Sequence, residues 1–303
     1  MHRRSLEKSQ RWTEAGPGRS ASRGASICFC SVAARQAKGA SRLSPGHSEE
    51  CKAGAVRAIF IAARAEEGVG RMLNRPIRSL PSRDASGNVV QVAISIVPMT
   101  RRLVSQWASV VQPLVDANYQ HHAPGLPPRA VRADVGWNWR SIYALASAQS
   151  WFLSPARAIC MTVQPSSAPP FPIGMLTMVP QLPTTVHGVQ RDRGFGWYLS
   201  DAPYESYQRI LRTAPVRGVA AALIDCSIQA TLDSGSDGTH LLHADPNGGD
   251  KLVRFYRDDC KMTQLPATHG PITPVFRRAN PAEYFLFNDV EAGAYSATYD
   301  ARR

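Results

Sequence analysis

Hydrophobic and polar positions become regular from Val89 onward. The run Val89-Val-Gln-Val-Ala-Ile-Ser-Ile-Val97 is rich in β-branched residues and predicts a strand. Thr100 is placed to cap a helix reaching about Val115, with Leu103, Trp107, Val110, Val111 and Leu114 along one face. After a loop over 124–128, a second helix is predicted over 134–149, carrying Trp137, Trp139, Ile142 and Leu145. Strands follow at 157–163 and 173–179, joined by a proline-dense loop over 165–172, and a short strand covers 194–200. Asp201 can cap a short helix with Pro203 and Glu205 in its first turn. Then come a glycine loop, a helix over 219–232, a strand over 239–245 and a helix over 249–258. The last strands are expected near 272–277 and 284–288. No internal repeat interrupts this order, which predicts an α/β sandwich.

Composition narrows the class. With 303 residues and 44% apolar content, the chain can bury a large core. No stretch reaches the roughly 18 to 20 apolar residues that a membrane helix needs. The most apolar early segment, 53–65, is interrupted by Arg57 and Arg64. A soluble, cytoplasmic protein is therefore expected. The net charge of +12 is uneven: residues 1–71 hold 13 Lys/Arg against 6 Asp/Glu, whereas 72–303 hold 22 against 17. Residues 1–71 also lack any sustained period, so this basic, low-complexity leader is expected to be disordered or no native part of the protein. A targeting peptide and a nucleic-acid-touching arm are the competing readings. Glu49, Glu50, Glu66 and Glu67 argue against the first. The expected organisation is a leader over 1–71 and a single domain over 72–303.

The six cysteines form no Cys-x-x-Cys pair and no zinc-finger spacing, which predicts reduced thiols. Cys160 falls in an apolar strand and Cys226 on an apolar helix face, so both are expected to be small core residues. His121 and His122 are expected in a solvated loop.

The chemistry concentrates in 214–262. A helix start leaves backbone N–H groups unpaired and carries partial positive charge, so phosphate oxygens bind there if small residues let them approach. Pro215-Val-Arg-Gly218-Val-Ala220 supplies such a start, and Arg217 adds a cation. Close packing is the plainer account of a Gly-Val-Ala helix start. His243 and Asp245 share one face of the following strand by the two-residue period. A structural His/Asp pair is preferred there to a metal site, for which no third ligand is evident.

The segment resembles the cofactor-binding half of the GNAT (GCN5-related N-acetyltransferase) superfamily. That family's Gln/Arg-x-x-Gly-x-Gly/Ala pattern aligns on Pro215 to Ala220, with Gly218 and Ala220 matching. Pro215 departs from it and removes one amide from the nest. The run from Asn247 through Leu252, Phe255 and Tyr256 resembles the family's next helix, although Lys261-Met262 stands where Gly-Phe is usual.

The resemblance implies a mixed, mostly antiparallel sheet flanked by helices, and acetyl-CoA as co-substrate. Val216, Arg217, Gly218, Val219, Ala220 and Asn247 would bind the cofactor, between two strands that splay apart. Tyr256 would protonate the departing coenzyme A thiolate, with half-buried packing beside Phe255 and Leu252 as its plainer role. Asp201 is the candidate for accepting the amine proton, with helix capping as the plainer account. Trp137 and Trp139 lie two apart and cannot share one helix face, so one is expected in the core and the other on the acceptor cleft. The implied reaction is direct transfer of acetyl to a primary amine of a small molecule or protein. A catalytically degenerate acyl-CoA-binding module is the alternative. Neither a membrane nor a nucleic acid is the expected partner, and a homodimer is admissible.

Overall fold

The computed structural model describes residues 73–152, 155–166, 168–266 and 283–303. The leader and the strand expected near 272–277 lie outside the described residues. Eight strands are described: β1 (Ser79–Arg83), β2 (Val89–Pro98), β3 (Arg157–Val163), β4 (Phe171–Val186), β5 (Val189–Asp201), β6 (His240–His243), β7 (Thr263–Gln264) and β8 (Tyr284–Phe287). They form one sheet in the order β1-β2-β3-β4-β5-β6-β8-β7. Neighbours run antiparallel except β5 and β6, which are parallel. The α-helices are α1 (Arg101–Gln106), α2 (Gln112–Asn118), α3 (Trp139–Phe152), α4 (Tyr204–Ser206), α5 (Val219–Leu232), α6 (Gly249–Arg254) and α7 (Asp289–Ala297). The fold is thus a mixed, mostly antiparallel sheet flanked by helices, as the resemblance implies. Among the described residues no helix is long and apolar enough to cross a membrane.

Local chemistry sets the element boundaries. Thr100 caps α1, its hydroxyl accepting from the Leu103 amide at 3.3 Å. A π turn at Trp107–Val111 joins α1 to α2 just ahead of Pro113, whose ring cannot continue the regular ladder. The helix expected from Asp134 begins instead at Trp139. Gly136 has φ +72 and breaks the run, and the Asn138 side chain accepts from the Ser141 amide at 3.1 Å. β4 and β5 extend well past their expected ends into a hairpin closed by His187 and Gly188, both at positive φ.

Every residue of β4 from Phe171 to Pro180 is buried, which requires cover on both faces of the sheet. Residues Ala222, Leu223, Cys226 and Ala230 of α5 are 0% exposed. A Cβ on Gly174 of β4 would stand 2.8 Å from Val219 Cγ1, so the bare glycine lets the start of α5 settle on the sheet. Trp107 and Trp139 meet edge to face at 6.1 Å in the same core. Cys160 and Cys226 are fully buried, and burial pushes both thiols up, as their expected core role requires.

His240 of β6 is wholly buried, and neither ring nitrogen has a hydrogen-bond partner among the described residues. Desolvation by burial lowers its pKa from 6.5 to about 3. The imidazole is therefore neutral in the folded chain but protonates below pH 6.5 once unfolded. Its contribution is complete above the unfolded pKa and falls as pH drops toward the folded one. Lowering pH from 7 to 5 should cost about 2 kcal/mol through this residue. Urea titrations at both pH values should show a loss smaller by about that amount in His240→Leu. Equal losses would mean that this histidine does not control the acid limb.

Candidate functional site

The site begins at an irregularity in β5. Tyr198 pairs with Thr177 of β4 and Gly196 pairs with Met178, so Trp197 is an extra residue, a β-bulge. Gly196 is also the last residue of β5 paired with β6, through Leu242. The bulge bends β5 where the parallel pair ends, and beyond it the two strands part. A cleft of about 340 Å³ lies there, lined on the strands by Gly196, Leu199, Asp201, Leu242 and His243. One flank carries Leu252, Phe255 and Tyr256, from α6 and the π turn Phe255–Asp259 that extends it. The loop Val131 to Asp134, which meets the start of α6, and Trp137 complete the lining.

Tyr256 is 5% exposed, and its ring leans on Phe285 and Phe255 at 5.4 Å each. Trp137 lines the cleft and meets Tyr198 edge-on at 5.1 Å, while Trp139 is fully buried. The two tryptophans thus divide between cleft and core as expected, but not for the expected reason, because Trp137 precedes the helix that begins at Trp139.

An ion cluster closes one end. Arg132 grips Asp134 with both arms of its fork, Nε to Oδ1 and Nη2 to Oδ2 at 2.8 Å each. Its Nη2 also reaches Asp201 Oδ1 at 3.0 Å and the Asp201 carbonyl at 2.7 Å. Ser200 Oγ donates to Asp134 Oδ2. Burial opposes the Asp134 charge, yet Arg132 and Ser200 outweigh it and hold the carboxyl below its usual value. The Arg132 guanidinium lies over the Tyr119 ring at 5.3 Å, and Tyr119 donates to Glu205 at 3.1 Å. Asp201 does not cap the next helix: Pro203 occupies the cap position of α4, and the Asp201 side chain, 43% exposed, turns to Arg132.

The predicted phosphate loop is more constrained than its sequence implies. Gly218 is the N-cap of α5 at φ +76, a conformation that side chains resist, and no side chain caps the helix. The first-turn amides of Val219, Ala220 and Ala221 therefore remain for an anion, with exposed Arg217 beside them. Ala220 also lines the cleft. The rest of the loop is stitched to β1. The Arg217 amide donates to the Pro81 carbonyl at 2.8 Å, and Ser82 Oγ donates to the Pro215 carbonyl at 3.0 Å. Val216 and Val219 bury their side chains in the core.

Asn247 is exposed in the turn Pro246–Gly248, its amide bonded to Asp245 Oδ1 at 3.0 Å and its carbonyl to the His122 amide at 2.7 Å. His243 pairs with Glu283 at 3.1 Å and meets the Tyr284 ring. The groups left open to an anion are thus the first-turn amides of α5 and the Arg217 side chain, while Val216 and Val219 turn into the core and Asn247 sits in the turn Pro246–Gly248.

Arg132, Ser200 and Lys251 were not anticipated from the sequence, although all three line the cleft. The signal for Lys251 was available, because Lys251 and Lys261 are the two lysines beyond residue 71.

No family model and no curated protein matches the chain. Two solved structures share features of its fold. One is a KacTA–DNA complex, 10% identical over 68% of this chain and 99% of that chain, with a TM-score of 0.36. The other is AtaTR bound with AcCoA, 11% identical over 66% of this chain and 96% of that chain, with a TM-score of 0.35. At these values the likeness carries no functional argument, which falls to the cleft itself.

Proposed function

We propose that the chain is an acetyl-CoA-dependent N-acetyltransferase that transfers acetyl to a primary amine of a small molecule or protein. The observation that carries this reading is the parting of β5 from β6 at the Trp197 bulge, beside a helix start without a side-chain cap. Such a gap accepts an extended pantetheine arm, while the α5 amides and Arg217 take the pyrophosphate. Strand groups that no longer pair across the gap can polarise a thioester carbonyl. Attack by the acceptor nitrogen then forms the amide and breaks the C–S bond. Tyr256 is the donor of a proton to the departing sulfur. Asp201, at the solvent-reached end of the cleft, accepts the proton that the amine gives up. The setting is proposed to be cytoplasmic, with a homodimer admissible.

Arg217→Glu should weaken acetyl-CoA binding about tenfold, because it replaces a phosphate-facing cation with a like charge. Calorimetric titration of the full chain checks this, and an unchanged affinity would place the pyrophosphate elsewhere. Thioester consumption across a panel of primary amines tests turnover.

One observation favours a second reading, a GNAT-like module that binds acyl-CoA without turnover. Pro215 has no N–H, and the Arg217 amide is committed to Pro81, so the phosphate nest is smaller than the family's pattern provides. Saturable binding with no consumption of thioester by any amine in the panel would select it.

A further inference from the structure

The cleft holds a nucleophile that the proposed transfer does not use. Lys251 lies on the same helical segment as Tyr256, and both line the cleft. Its Nζ donates to the Val131 carbonyl at 3.0 Å, which ties the side chain to the loop that packs against the start of α6. Among the described residues no carboxylate forms an ion pair with it.

The partner's identity matters, because an ammonium must lose a proton before its nitrogen can attack. A carboxylate would hold that proton, whereas a carbonyl accepts equally well from a neutral amine. Burial, and after it the neighbouring Arg132 guanidinium, lowers the lysine's pKa from its usual value against the opposing pull of Asp201 and Asp134. The chain otherwise relies on arginine: five of its 35 basic residues are lysines. Arginine stays protonated in proteins, so Lys251 gives this cleft a basic side chain able to become an amine nucleophile.

We propose that Lys251 is a self-acetylation site, modified by the acetyl thioester bound in its own cleft. This rests on the acetyl-CoA reading above. Nζ forms a bond to the acetyl carbonyl carbon and the C–S bond breaks. The proton released from nitrogen passes to the thiolate, leaving acetyl-lysine and the free coenzyme A thiol. The product is an uncharged side chain on the lining of the cleft.

The test is to incubate the full chain with acetyl-CoA and no acceptor, then locate acetyl groups by peptide mass mapping. Lys261, exposed as Lys251 is but outside the cleft lining, is the internal control for chemical labelling. Held next to the donor, Lys251 should accumulate acetyl at least about tenfold faster than Lys261. The rate should not depend on chain concentration, and prior unfolding in urea should abolish the difference. Equal labelling of the two lysines, or a Lys251 rate that rises with chain concentration, overturns the proposal. Calorimetry with acetyl-CoA separates the two failures. Binding without Lys251 modification sinks this inference alone, whereas absence of binding sinks the acetyl-CoA reading and this inference with it.

Discussion

Arg132→Ala should destabilise the chain by about 3–5 kcal/mol, the usual cost of breaking a buried ion pair by removing one partner. Arg132 and Asp134 side chains are 13% and 6% exposed, and the guanidinium supplies two of the carboxylate's hydrogen bonds. Without it Asp134 keeps Ser200 and its own backbone amide, and must stay charged, or gain a proton, in a largely dry site. Arg132→Lys keeps the charge but loses the fork, so it should fall between wild type and alanine.

The pH dependence has a definite sign. Asp134 is held below its unfolded value, so its stabilising contribution is present above that value and fades as pH falls. In Arg132→Ala that relation reverses, and the defect should shrink on acidification. Urea unfolding at neutral and acidic pH measures both effects. A neutral-pH loss under about 1 kcal/mol would mean that the cluster adds no more than a surface pair.

Tyr256→Phe should reduce kcat about a hundredfold while leaving acetyl-CoA affinity within about a factor of two. Phenylalanine retains the ring that rests on Phe285, so stability should change little and the comparison isolates the hydroxyl. Binding measured by calorimetry and turnover measured by thiol release separate the two quantities. Unchanged turnover would reduce Tyr256 to a packing residue, the plainer account that its 5% exposure also permits.

What the sequence disclosed followed from locality. α5 emerged with its expected bounds because an apolar stripe and a glycine start lie within one continuous segment. β2 and β3 were legible from β-branched runs. β4 runs on past its expected end at 179, through Pro180 and Pro183. The ladder with β5 shifts register between Val179 and Leu182, which accommodates Pro180. β1 was missed for a related reason, since Pro81 sits within an edge strand, where a proline is tolerated. α7 was legible in principle from its capping box, Asn288 with Glu291, but its exposed Val290 and small residues hide the apolar face.

The site was legible only in its local half. Gly218, Ala220 and Tyr256 belong to patterns a few residues long. The ion cluster joins Arg132 and Asp134 to Ser200 and Asp201, a pairing that depends on where β5 ends relative to a distant loop. The bulge at Trp197 is likewise a property of register between two strands. The stitching of Arg217 to Pro81 needed β1 to be seen first.

The proposed entry of acetyl-CoA into the gap between β5 and β6 is open to a thermal-unfolding titration of the full chain with acetyl-CoA. Ligand that binds only the folded state at about a hundred times its Kd should stabilise the chain by about 2.7 kcal/mol, seen as a saturable rise in Tm. The rise should be blunted in Arg217→Glu. A Tm that stays constant up to millimolar acetyl-CoA would mean that the gap does not receive this cofactor.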